Sequence, residues 1–167
     1  MNSFDAAGKG GGAIAVAIGE LAVARAPAQL RTLLGSCVGV LLLDRRLQVA
    51  GLAHVVLPES RGETELPGKY ADTAIPELLR RLHKVAGNQA IQPVAKILGG
   101  ANMFPQIIGN QLSIGDQNVQ AVERALQQAR IAVVARHCGG TSGRRILVDA
   151  ASGNVRLEIL GSEPIQI

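Results

Sequence analysis

The chain has 167 residues, 47% of them hydrophobic, with 17 Lys and Arg against 13 Asp and Glu. That length fits one ordinary domain able to bury a core without disulfide or metal staples. Aromatics make up 2% and Trp is absent, so the core must be Val, Leu, Ile and Ala, and a binding site built on aromatic stacking of sugars or single-stranded bases is disfavoured.

The net charge of +4 is carried mostly by Arg, scattered in pairs such as Arg45-Arg46, Arg80-Arg81 and Arg144-Arg145. A nucleic-acid binder gathers its cations into one stripe or tail, so an acidic protein surface is the better-matched partner. Two cysteines are too few for a secreted disulfide scaffold. The start shows no charged region followed by an apolar stretch, and the longest apolar run, Val38 to Leu43, is far short of a membrane span. These features predict a cytoplasmic protein with reduced thiols and no membrane insertion.

Residues 1–12 end in Gly-Lys-Gly-Gly-Gly and predict a flexible tail ahead of a single domain over 13–167. Ala13 to Ala24 predicts a strand or strand pair turning at Gly19. Leu30 to Asp44 is a second apolar stretch, broken at Gly35-Ser36, and Gln48 to Leu57 a third, stopped by Pro58. A loop follows from Glu59 to Lys69. A helix then carries Ile75, Leu78, Leu79, Leu82 and Val85 on one face, with Pro76 in its first turn. Val94 to Leu98 predicts a buried strand running into Gly99-Gly100. Asp116 to Arg130 predicts a second helix with Val119, Val122, Leu126 and Ala129 inward. Ile131 to Ala135 predicts another strand, and Arg145 to Asp149 with Asn154 to Leu160 a hairpin around Ser152-Gly153. Six or seven strands against two helices predict a mixed sheet, or two sheets, flanked by helices.

Cys37 follows directly on the Gly35-Ser36 turn. Such a turn exposes a sulfur and leaves backbone N–H groups free to face a developing oxyanion. A free thiol, with a pKa of about 8.5, is little ionised at neutral pH and needs a base. His54 is the candidate, since alternation puts it on one face with Leu52 and Val56. If its strand pairs with that of Cys37, the two form a thiolate–imidazolium pair. Residue types alone favour a second reading, in which Cys37 fills the core and His54 is a satisfied core residue. His137-Cys138 suggests zinc together with Cys37 and His54, but lacks the close ligand spacing of zinc sites; the simpler reading ends a strand there. His83 reads as a surface residue. The clusters Gly99-Gly100, Gly139-Gly140 with Gly143, and Gly109 with Gly115 match no nucleotide fingerprint and read as turns around a cleft.

Six blocks together resemble the chemoreceptor glutamine deamidases, the CheD family. They are Gly35-Ser36-Cys37-Val38, Gly51-x-Ala53-His54-x-x-Leu57-Pro58, Tyr70-x-Asp72-x-Ala74, Lys96-Ile97-x-Gly99-Gly100-Ala101-x-Met103-Phe104, Ile114-Gly115-x-x-Asn118 and Gly139-Gly140-x-x-Gly143-Arg144. They run in family order from about Gly19 to Gly153. The resemblance implies an α+β fold, a layered α-β-β sandwich of mixed and antiparallel strands with two main helices, similar to the catalytic domain of deamidating bacterial toxins. It implies a cysteine amidohydrolase that converts receptor Gln side chains to Glu without metal or organic cofactor. Cys37 falls on the nucleophile and His54 on the general base, with Gly35 and Ser36 in the oxyanion turn. The family's third catalytic residue is a Thr upstream of the nucleophile. Ungapped counting puts Arg31 there, and Thr32 reaches it only if the strand slips or bulges. The implied partners are methyl-accepting chemotaxis receptors and, in many organisms, the CheC phosphatase. The competing reading is a binding module without turnover, for which the departure at Arg31 is the best support.

Overall fold

The computed structural model describes residues 12–63, 65–104 and 111–167; the predicted N-terminal tail, Gly12 apart, and Gly109 lie outside them. The described residues form β1 (Ile14–Ala15), β2 (Leu21–Arg25), β3 (Gln29–Leu34), β4 (Val38–Asp44) and β5 (Val49–Val55). There follow α1 (Ala71–Val85), β6 (Val94–Gly99), α2 (Ile114–Gln128), β7 (Val133–Cys138), β8 (Arg144–Asp149), β9 (Val155–Ile159) and β10 (Ile165–Gln166). Two five-stranded sheets result, in the orders β1-β3-β8-β9-β10 and β2-β5-β4-β6-β7. Pairing is antiparallel except at β1–β3 and β6–β7.

The sheets stack face to face, and both helices cover the outer face of the second sheet. Alternation along β4 shows why. Leu41 and Leu43 meet Leu30, Leu34, Ile146 and Val148 of the first sheet, whereas Val38, Val40 and Leu42 meet Ile75, Leu78, Val122 and Leu126 of the helices. A strand buried on both faces reads as a continuous apolar run, as Val38 to Leu43 does. The first sheet leaves its outer face open, and β3 accordingly alternates, with Gln29, Arg31 and Leu33 exposed and Leu30, Thr32 and Leu34 buried. The layering is thus α-β-β, with two helices and mixed sheets.

Three details differ from the sequence reading. The strands number ten among the described residues because β1 and β10, at two residues each, are too short to leave a periodic signal. Helix α2 begins at Ile114, where the Ser113 hydroxyl caps the helix by accepting from the Asp116 N–H. Pro76 lies beyond the first turn of α1, which begins at Ala71. Pro76 and Asp72 are both exposed, so the carbonyl that the proline cannot serve faces water.

Candidate active site

Cys37 sits half-buried in the turn between β3 and β4, packed against the layer between the two sheets. The turn is tied down by its carbonyls. Gly100 N–H donates to Cys37 O at 2.8 Å, Ala101 N–H to Gly35 O at 2.9 Å, and the Asn118 carboxamide to Ser36 O at 3.4 Å. A second bond from Asn118 Nδ2 reaches Val56 O at 2.8 Å. Among the described residues, no backbone carbonyl takes the N–H of Ser36 or Cys37, and the Cys37 N–H acts on its own sulfur. Close backbone approach makes this possible at two glycines. A Cβ on Gly99 would stand 2.4 Å from Cys37 O, and one on Gly115 would stand 2.4 Å from Gly100 O. Glycine there lets β6 and the start of α2 close on the Gly35–Cys37 turn.

His54 lies near the end of β5, opposite Gly39 of β4. Cys37 precedes Gly39 by two residues and faces the same inter-sheet layer. Strand parity thus sets Cys37 and His54 on the same inter-sheet side of the second sheet, two positions apart along the ladder. Gly39 interposes no side chain between them.

Across the layer, Thr32 Oγ1 stands 2.9 Å from His54 Nδ1 and 2.7 Å from Val16 O. A carbonyl only accepts, so the single hydroxyl proton goes to Val16. Toward His54 the hydroxyl must accept, which puts the ring hydrogen on Nδ1 and leaves Nε2 of the neutral imidazole with its lone pair free. This corrects the expectation drawn from ungapped counting. Arg31 points outward into solvent, and Thr32 faces His54 with β3 in unbroken register against β8 from Gln29↔Asp149 to Leu34↔Arg144. Neither slip nor bulge is involved.

Burial pushes the Cys37 thiol up, opposed by its own backbone N–H, and pushes the His54 imidazole down, opposed by the Val16 carbonyl. Both shifts favour the uncharged forms. Burial thus works against the thiolate–imidazolium pair of the sequence reading.

A family model described as CheD chemotactic sensory transduction matches residues 56–159. A probable chemoreceptor glutamine deamidase CheD of Methanococcus vannielii is 43% identical over 143 residues, which is 85% of this chain and 92% of the relative. Proteins of the same description from Pyrococcus abyssi and Clostridium botulinum are 40% identical over 157 residues and 39% identical over 155 residues. They cover 92% and 89% of this chain, and 96% and 93% of their own lengths. The chain belongs to the CheD family.

The CheD-like blocks, scattered in sequence, gather at one end of the sandwich. Gly139 N–H donates to Gly99 O, and Asn102 N–H to Gly140 O, so the Gly-rich loop after β7 packs beside the segment that holds Cys37. Arg144 braces that loop from within. It is buried and donates to His137 Nδ1 and to the carbonyls of His137, Gly139 and Ser142. Cys138 points to the opposite side of the sheet, against the helix layer, with its thiol on Ile97 O. His137 and Cys138 thus diverge, and neither joins Cys37 and His54. His83 is exposed on α1.

Asn118 was not singled out for a role from sequence, though a signal exists. It shares the stripe of Val122 and Leu126 at helical spacing, so a carboxamide interrupts an apolar face. It is fully buried and its Oδ1 has no partner among the described residues. An orphaned buried acceptor costs on the order of 1–3 kcal/mol.

Proposed function

We propose that this protein deamidates glutamine side chains of chemotaxis receptors in the cytoplasm, with Cys37 as nucleophile, His54 as general base and Thr32 as the residue that orients His54. The observation that carries the reading is the Thr32–His54 hydrogen bond, which frees Nε2 on the inter-sheet face that Cys37 shares. The relatives, described as probable chemoreceptor glutamine deamidases, suggest the substrate class.

The chemistry follows from these groups. As the Cys37 sulfur attacks the carboxamide carbon, its proton passes to His54 Nε2, so no standing thiolate is needed. The N–H groups of Ser36 and Cys37 receive the oxyanion. The tetrahedral adduct collapses with the C–N bond breaking, and His54 returns the proton to the departing nitrogen, giving ammonia and a thioester. Water then attacks the thioester carbon and gives His54 a proton. On collapse the C–S bond breaks, the sulfur recovers that proton, and the side chain leaves as a glutamic acid. The outward Arg31 offers no support for a module without turnover, because Thr32 supplies the hydroxyl in regular register. A CheC-type phosphatase is the partner to seek by co-purification.

The test is ammonia release from a receptor cytoplasmic fragment, with mass spectrometry locating the Gln-to-Glu change. Cys37→Ala is expected to abolish release while the far-UV spectrum and thermal midpoint stay those of the parent chain. Retained release in that variant sinks the assignment.

A further inference from the structure

We infer that Asn118 is a positioning residue for the oxyanion site, holding the Ser36–Cys37 peptide so that its N–H faces the substrate. The inference rests on the deamidase reading and extends it to a residue that touches neither substrate nor thiol. A trans peptide points its C=O and its N–H in opposite directions. With Ser36 O turned toward Asn118 on α2, the Cys37 N–H is turned away from the helix layer. There it lies beside its own sulfur, which it pulls toward the thiolate.

The anchor is the same carboxamide nitrogen's shorter bond to Val56 O. Val56 stands where the β4–β5 ladder, continued past Val38↔Val55, would meet Cys37. One side chain therefore spans the open end of the ladder, fixing the nucleophile turn relative to the strand that carries His54. The two bonds also fix which end of the amide is which, since the reverse orientation would set Oδ1 against two carbonyl oxygens. The orphaned Oδ1 is the consequence. A side chain selected for stability alone would leave no such acceptor in the core. The bond to Ser36, at 3.4 Å, is the longer of the two.

The test uses the full chain and the receptor fragment, reading kcat, KM and the rate of Cys37 alkylation by iodoacetamide. Asn118→Ala is expected to lower kcat about 100-fold, the effect of losing an oxyanion donor, with KM and alkylation little changed, because alkylation develops no oxyanion. Undiminished kcat, or a loss of alkylation that matches the loss of kcat, overturns the inference while leaving the deamidase reading intact. Asn118→Asp gives a second arm should the alanine variant fail to fold. Its carboxyl donates only when protonated, so kcat relative to the parent is expected to rise as pH falls. A ratio independent of pH overturns the positioning role. No ammonia from the parent chain overturns the deamidase reading and this inference with it.

Discussion

The two buried layers of this molecule are built to different rules. Between the helices and the second sheet lie Val40, Leu42, Ile75, Leu78, Leu82, Ile97, Val122 and Leu126, an aliphatic layer entered among the described residues only at its ends, by Asn118 at one and Asp44 at the other. Between the sheets the packing is as tight, yet four polar or charged side chains are buried along it: Thr32, His54, Lys96 and Arg144. Lys96 donates to the carbonyls of Gly153 and Ile167, and the terminal nitrogens of Arg144 to those of its loop, its Nε alone lacking a partner among the described residues. Each of these groups is desolvated and so must find a partner, which fixes its geometry far more narrowly than apolar packing does. The helix layer supplies adhesion, and the inter-sheet layer supplies fixed donors and acceptors in a dry setting, where a proton transfer can be steered.

The contrast is open to attack by mutation. In the helix layer, Leu78→Ala opens a cavity beneath Gly51 and is expected to cost about 2–5 kcal/mol of unfolding free energy. Below its lowered melting point the alkylation rate of Cys37 should match the parent's; a slowed thiol would show that the layers are not separable. In the inter-sheet layer, Thr32→Val keeps the shape but strands the His54 N–H and the Val16 carbonyl, at about 1–3 kcal/mol. Turnover should fall about 10–100-fold, part of the general-base contribution, and Thr32→Ser should restore most of it. Parent-like turnover in the valine variant would remove Thr32 from the site.

Titration gives a smaller effect. Burial holds His54 below the ordinary imidazole value of about 6.5. Between that value and its folded pKa the unfolded chain binds a proton that the folded chain does not. Stability is therefore complete above pH 6.5 and falls as pH drops through that window. His137, lowered by burial and by Arg144, adds in the same direction. Thermal midpoints should drop between about pH 7.5 and about pH 5.5, and the acid limb of kcat/KM should lie below the ordinary imidazole value. A limb at or above it would mean that His54 is not the base.

The least effect belongs to the solvent side of the helix layer. Hydrogen bonds from Arg80 and Arg81 hold Glu77 at about 2. The pairs lie at the surface, so Glu77→Gln should cost under about 1 kcal/mol, read by denaturant unfolding. A loss as large as that of Thr32→Val would break the contrast between exposed and buried pairs.

Much of the site was legible because it rests on local patterns. The β4–β5 hairpin follows from two apolar runs and the turn residues between them, and parity along it sets Cys37 and His54 on one face. Ungapped counting from Cys37 put Arg31 on the third position, and the tertiary structure brings Thr32 to His54 with no slip or bulge. Leu30, Thr32 and Leu34 share a face, but Leu33, 66% exposed, disguises the alternation by making Leu33-Leu34 read as one apolar run. Asn118 stood in an apolar stripe, a sign that could be seen but not interpreted without its partners.

From residue order alone came the fold class, the two helices, the paired strands and the candidates Cys37 and His54, together with the mainly aliphatic core of a chain with almost no aromatics. Periodicity and turn chemistry act over a few residues, and such features are complete within them. Tertiary structure alone decided which hydroxyl meets His54, which ring nitrogen is left free and what grips the Ser36 carbonyl. Those contacts join residues separated by 22 and by 82 positions. No local pattern encodes a hydrogen bond between segments whose approach depends on how two sheets and a helix stack.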